Sequence, residues 1–126
     1  DLKVLKATKF GGINSHLGKL PNYSGRFPVI RALMNKEKYI YTTTHFMDES
    51  FDTARIIDEK KLKISKQNIV QIYLRIYQIS FFSIKQSLEL VFTKKANKKI
   101  LKKNSKFNKK RLKLLEVVKF KYFNFN

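Results

Sequence analysis

GGINSHLGKLPNYSGRFPVIRALMNKEKYIYTTTHFMDESFDTARII, Gly11 to Ile57, is the stretch whose reading decides the fold. It holds both histidines, both prolines, all four glycines and four of the nine acidic residues. Ile13–His16 reads as a short strand, and strand side chains alternate, so Asn14 and His16 project to one side. The strand runs into Leu17–Gly25, a loop punctuated by Gly18, Pro21 and Gly25. Pro28 suits the first turn of a helix that Val29–Asn35 continues, with Val29, Ile30 and Leu33 available for burial. Tyr39–Met47 is β-branched and aromatic, which suits a strand. On it His45 shares a face with Tyr41 and Thr43, while Ile40, Thr42, Thr44 and Phe46 take the other. Asp48–Thr53 follows as an acidic loop. An amide and an imidazole at a strand end, before a Gly/Pro loop, stand where open α/β sheets place their ligands.

Outward from this stretch the pattern is simpler. Leu2–Phe10 reads as the end of a helix, or a loop, feeding the first strand, and Gly11-Gly12 breaks it. Ala54–Asp58 and Leu62–Ile64 read as a strand pair or one bent strand. From about Lys66 a helix is predicted through Phe92, with Ile69, Tyr73, Ile76, Tyr77, Phe81, Ile84 and Leu88 at three- and four-residue steps. The stripe Tyr73, Tyr77, Phe81 reads as core rather than as a stacking platform. Val70, Leu74 and Phe82 lie on the other side, so the helix either packs on a sheet or awaits a partner.

With 126 residues the chain suffices for one small domain with a real core. Its formal charge of +19, mostly lysine, points to a nucleic-acid or anionic partner. The joint abundance of Lys, Asn, Ile, Phe and Tyr is also what an A/T-rich genome produces, so the charge has a second source. The absence of cysteine excludes disulfides and thiolate metal sites and fits a reducing, cytoplasmic setting. Two histidines among scattered carboxylates form no metal-ligand spacing. No charged-then-apolar leader precedes the first strand. The longest apolar candidate for a membrane span, Ile69–Ile84, is too short and carries Gln71, Arg75 and Gln78. Lys94–Asn126 holds thirteen lysines and arginines against one acid, Glu116. Residues 94–126 are therefore expected to be a basic helical or disordered extension to a domain spanning 1–93. RNA contact through it competes with a merely solvated face; Arg111 is its only side chain suited to bidentate readout.

Asn14-Ser15-His16, Leu20-Pro21-Asn22-Tyr23-Ser24-Gly25, Thr43-Thr44-His45 and Phe51-Asp52-Thr53 follow one another in order, without a gap in spacing. Together they resemble the second half of the folate-dependent formyltransferase catalytic domain. Gly18-Lys19-Leu20-Pro21, with Gly25-Arg26, is most similar to the branch that formylates amino sugars. The methionyl-tRNA branch of the family generally lacks a histidine at the Thr-x-His position. Two departures stand out. Leu17-Gly18 replaces the family's Pro-Ser or similar pair, and Ala54 replaces the glycine after Asp52-Thr53. Glycine tolerates positive φ and alanine does not, so the backbone turn there is expected to differ. A start at Asp1, midway through the family's domain, suggests a fragment whose upstream βαβ half would complete the folate pocket.

The resemblance implies an α/β fold, the second half of a Rossmann-like domain with a mixed sheet and flanking helices. It implies transfer of a formyl group from N10-formyltetrahydrofolate, as co-substrate, to an amine, with no metal. Asn14, His16 and Asp52 would be catalytic: Asn14 orienting the formyl oxygen, His16 stabilising the oxyanion or passing protons, and Asp52 holding the histidine or a water. Such a step needs a donor aimed at the developing oxyanion and a group that exchanges protons near neutral pH. Asp48, Glu49, Ser50 and Phe51 would contact the folate, although Asp48 and Glu49 also read as a solvated loop. Lys19, Leu20, Pro21, Tyr23, Gly25, Arg26 and His45 would contact the acceptor, foremost a nucleotide-linked amino sugar. The alternatives are methionyl-tRNA as acceptor, or a degenerate module of this family that binds RNA or the ribosome. A homodimer is expected of the complete enzyme.

Overall fold

The computed structural model describes residues 2–8, 11–47 and 55–93, so Asp48, Glu49, Ser50, Phe51, Asp52 and the extension 94–126 lie outside the described residues. Six elements follow in order: α1 (Leu2–Ala7), β1 (Ile13–His16), α2 (Pro28–Met34), β2 (Tyr39–Phe46), β3 (Ile56–Lys63) and α3 (Ile69–Phe92). The strands form one sheet in the order β1-β2-β3, antiparallel at both junctions. This is an α/β arrangement in which β2, the most β-branched segment, takes the central place. Thr42, Thr43, Thr44 and His45 are all buried because β2 is covered on both faces.

The two faces of β2 divide as its alternation predicts. Ile40 enters a core with Val29 and Ala32 of α2, Leu62 of β3 and Ile72 and Ile76 of α3. Pro28 opens α2 at its first position, where a missing N–H costs nothing, and Val29, Ile30 and Ala32 face inward. Leu33, expected to be buried, packs only partly against that core, and Ala32 takes its place. Of the expected segments Ala54–Asp58 and Leu62–Ile64, Ala54 lies outside the described residues, and the rest of both falls on or beside the single strand β3, which carries one irregularity. Thr44 lies opposite Asp58 but His45 lies opposite Ile56, so Ile57 is the extra residue of a bulge.

α3 begins at Ile69 rather than near Lys66, because Asn68 caps it. The Asn68 side chain accepts from Gln71 N at 2.9 Å and the Gln71 side chain accepts from Asn68 N at 3.1 Å. The face α3 turns to the sheet corrects the sequence reading. Its buried residues are Ile72, Ile76, Ser80, Ser83 and Ser87, while Tyr77 and Phe81 are 58% and 66% exposed. Tyr73 is half-buried, its phenol pushed above the ordinary value by burial and by the neighbouring Tyr77. Val70, Leu74 and Phe82 are exposed as well.

The reason is hydrogen bonding. Ser80 Oγ lies 2.7 Å from Ser15 Oγ, which also meets Thr42 Oγ1 at 3.1 Å. Ser83 Oγ lies 2.8 Å from Thr44 Oγ1 and donates to Asp58 Oδ2 at 2.7 Å. The alternating hydroxyls of β1 and β2 demand polar partners when buried. Small serines supply them and let the helix approach the sheet closely. The far half of the α3 interface is thus polar, whereas its first turns are apolar.

Candidate functional site at the Asn14–His45 pair

Asn14, His16, Thr43 and His45 occupy the sheet face opposite α3, since Ser15, Thr42 and Thr44 turn toward that helix. Antiparallel register sets Asn14 opposite His45 and His16 opposite Thr43. Directly opposed side chains are close neighbours, and Asn14 Nδ2 lies 3.3 Å from His45 Nε2. Asn14 is exposed, whereas His45 retains 2% of its surface. The His45 ring is fixed from its other side, with Nδ1 at 2.8 Å from Phe46 O. That carbonyl stands at the bulge, where Phe46 N donates to Arg55 O at 2.9 Å.

His16 is also buried, but it serves a different partner. Its Nε2 donates to Tyr23 O at 2.6 Å. The loop after β1 is further tied by Thr43 Oγ1, which donates to Gly18 O at 2.7 Å. Inside the loop Tyr23 N donates to Lys19 O at 2.8 Å. Tyr23 is anchored at its other end too. Its hydroxyl donates to Glu37 at 2.6 Å and accepts from Asn35 at 3.1 Å. Burial, and then the Glu37 hydrogen bond, push that phenol above its ordinary value. Arg31 stacks over the Tyr23 ring and donates to Ser24 O at 2.6 Å.

The structure therefore brings Asn14 together with His45 rather than with His16, and sets His16 at the root of the loop. Of the residues expected at the acceptor, Lys19 and Tyr23 line a cavity of about 150 Å³ between the loop, α2 and the first half of β2. Tyr39 and Tyr41 line it as well, neither of which the sequence reading assigned to the site. Their position on the His45 face of β2 was the available signal. Lys19 Nζ stands 4.8 Å above the Tyr41 ring. Leu20 is buried. Pro21 follows a cis peptide bond, Gly25 is exposed at φ 78°, and Arg26 lies over the Phe27 ring. Among the described residues no three histidines or acids gather where they could hold a metal ion. No described helix is long and apolar enough to cross a membrane.

Comparison with known proteins gives a consistent set of likenesses. The model of the family described as formyl transferase matches residues 2–79. A methionyl-tRNA formyltransferase of Halothermothrix orenii is 42% identical over 66 residues, 52% of this chain and 21% of that protein. One of Methylacidiphilum infernorum is 33% identical over 94 residues, 74% of this chain and 29% of that protein. The chain thus spans less than a third of the length of these relatives. Among solved structures, a formyltransferase of Anoxybacillus kamchatkensis, in complex with UDP-4,6-dideoxy-4-formamido-L-AltNAc and tetrahydrofolate, superposes with a TM-score of 0.73 at 21% identity. It covers 94% of this chain and 61% of that one. An N-formyltransferase of Helicobacter canadensis, in complex with folinic acid and dTDP-3-aminofucose, gives 0.66 at 23% identity, over 74% of this chain and 35% of that one.

Proposed function

This chain belongs to the formyl transferase family, and from that premise we propose that its Asn14–His45 strand end serves formyl transfer from N10-formyltetrahydrofolate to an amine. The observation that carries the reading is an exposed Asn14 amide held at Nδ2 by a buried ring. A carboxamide nitrogen carries two N–H donors, so one bond to His45 leaves the second for a substrate oxygen. In the reaction the amine nitrogen attacks the formyl carbon and a new C–N bond forms. The bond from that carbon to the folate nitrogen breaks, and the amine's proton ends on the folate nitrogen. Negative charge gathers on the formyl oxygen during attack, and a fixed N–H aimed at it is worth a few kcal/mol. His16 has Nε2 committed to Tyr23 O, which fixes its ring at the root of the loop. Asp52 is the family's third member by position.

The acceptor favoured by the site is the amino group of a nucleotide-linked sugar. His45 fills the Thr-x-His position, and the loop carries Gly18-Lys19-Leu20-Pro21. The cavity edged by Lys19, Tyr23, Tyr39 and Tyr41 suits the nucleotide end of such an acceptor. Tyr41 is four residues from His45 along β2, roughly 13 Å at strand rise, which is the reach of a sugar plus its diphosphate. A second reading, methionyl-tRNA as acceptor, has its own support. The methionyl-tRNA formyltransferases match at higher identity than the sugar enzymes do, and a net charge of +19 suits RNA.

Product mass spectrometry on the complete gene product tests both readings. It would be supplied with N10-formyltetrahydrofolate and either a panel of nucleotide-linked amino sugars or methionyl-tRNA. Formylated sugar is the expected product. Formylmethionyl-tRNA alone would favour the second reading, and no formylated amine from either set would overturn formyl transfer.

A further inference from the structure

We infer that His45 is the positioning residue for Asn14: its ring decides which end of the Asn14 amide faces which way. The inference rests on the formyl-transfer reading for its catalytic consequence, and on hydrogen-bond chemistry alone for its geometry. A carboxamide has a donor and an acceptor of nearly equal shape, so an unconstrained asparagine presents either. Only the N–H end can stabilise a developing oxyanion.

His45 removes that ambiguity. Phe46 O can only accept, so the His45 nitrogen 2.8 Å from it, Nδ1, carries the hydrogen. In the neutral ring Nε2 is then a lone pair, which can only accept. The Asn14 atom 3.3 Å away must therefore be Nδ2 and not Oδ1. The ring itself has little freedom. It is 2% exposed, and its carbonyl partner is fixed by the ladder bond from Phe46 N to Arg55 O beside the Ile57 bulge. Bulges re-aim side chains next to functional sites, and here the irregularity falls between Thr44 and His45. The strand pair thus transmits one backbone carbonyl's demand, through an imidazole, to the outward N–H of Asn14. His16 does not share this role, since its Nε2 donates to the loop.

Two substitutions separate positioning from mere filling of space. Glutamine sets Oε1, an acceptor, near the place of Nε2, whereas leucine fills the volume without an acceptor. Long-range nitrogen–proton correlation on the 126-residue chain is expected to show His45 protonated at Nδ1 and bare at Nε2. The Asn14 side-chain amide proton that faces His45 is expected to be slowed in exchange, to lose that protection in His45→Leu, and to recover it in His45→Gln. A proton on Nε2 in the resting protein, or an Asn14 amide unaffected by His45→Leu, would overturn the inference. In the complete gene product His45→Leu should lower kcat about tenfold, less than loss of a whole oxyanion donor. KM for the folate should stay within about twofold, and His45→Gln should recover most of kcat. Equal kcat in the leucine and glutamine variants would also overturn it. Turnover that ignores Asn14→Ala would overturn formyl transfer at this site instead, leaving the pairing to the nitrogen spectrum.

Discussion

Gly18 has no room for a side chain: a Cβ there would lie 2.7 Å from Pro28 Cβ, 2.8 Å from Tyr23 O and 3.0 Å from His16 Nε2. Leu17-Gly18 thus allows the close approach of Tyr23 O to His16 Nε2, which a larger residue at position 18 would obstruct. Gly18→Ala is expected to destabilise by about 1–3 kcal/mol and to displace His16, measured as a lowered melting temperature and a shifted His16 ring signal. Tyr23 gives a pH test. Its phenol is raised above 10.0 by burial first and the Glu37 hydrogen bond second. The protonated form is thus favoured by folding, so its contribution is complete below the unfolded value and lost as pH rises through the folded one. The alkaline fall in stability above about pH 10 should be shallower in Tyr23→Phe than in the unmodified protein, read from denaturation midpoints across that range. Asn14, His16 and His45 were singled out in the sequence by residue type and strand alternation. Their pairing was not, because it depends on strand register, and register comes from contacts between segments 31 residues apart.

Along α3 the sequence and the structure part company for a physical reason. Apolar periodicity singled out Tyr73, Tyr77 and Phe81, yet large side chains cannot sit over a sheet face made of Ser15, Thr42 and Thr44. Hydroxyls on the strands select serines on the helix, and hydropathy counting is blind to that. Asp58 and the bulged Ile57 in β3 belong to the same adjustment. Ile76, fully buried against Ile40 and Leu62, should cost about 2–5 kcal/mol as alanine. Phe81→Ala, at a side chain 66% exposed, should change stability by no more than about 0.5 kcal/mol in this chain. Ser83→Ala should cost about 1–3 kcal/mol, since it strands the buried Thr44 hydroxyl and one oxygen of Asp58. Urea denaturation of the three variants orders them: Ile76 and Ser83 well below the unmodified protein, Phe81 beside it. β1, α2 and β2, by contrast, were legible nearly to the residue, because Pro28 and the β-branched run Tyr39–Phe46 fix local conformation without help from tertiary partners.

At the scale of the molecule, a three-stranded antiparallel sheet with α3 on one face leaves the other face to Asn14, His16, Thr43, His45 and the loop they anchor. The fold class followed from ordered motifs, and the division of labour between the two faces followed from alternation along β2. What composition offered, a charge of +19, is concentrated in residues 94–126, apart from every matched motif. If that charge engages RNA, affinity should fall steeply with added salt and lose most of its slope when the extension is deleted. Binding assays at several salt concentrations read this directly, and salt-independent affinity would contradict it. We propose more narrowly that the outward N–H of Asn14 stabilises the formyl oxygen as the amine attacks. Single-turnover transfer from N10-formyltetrahydrofolate, compared between the complete gene product and its Asn14→Ala variant, measures that contribution. A rate constant lower by about 10²–10³ is expected in the variant, as for other lost oxyanion donors, with the folate still bound; equal rate constants would contradict that role for Asn14.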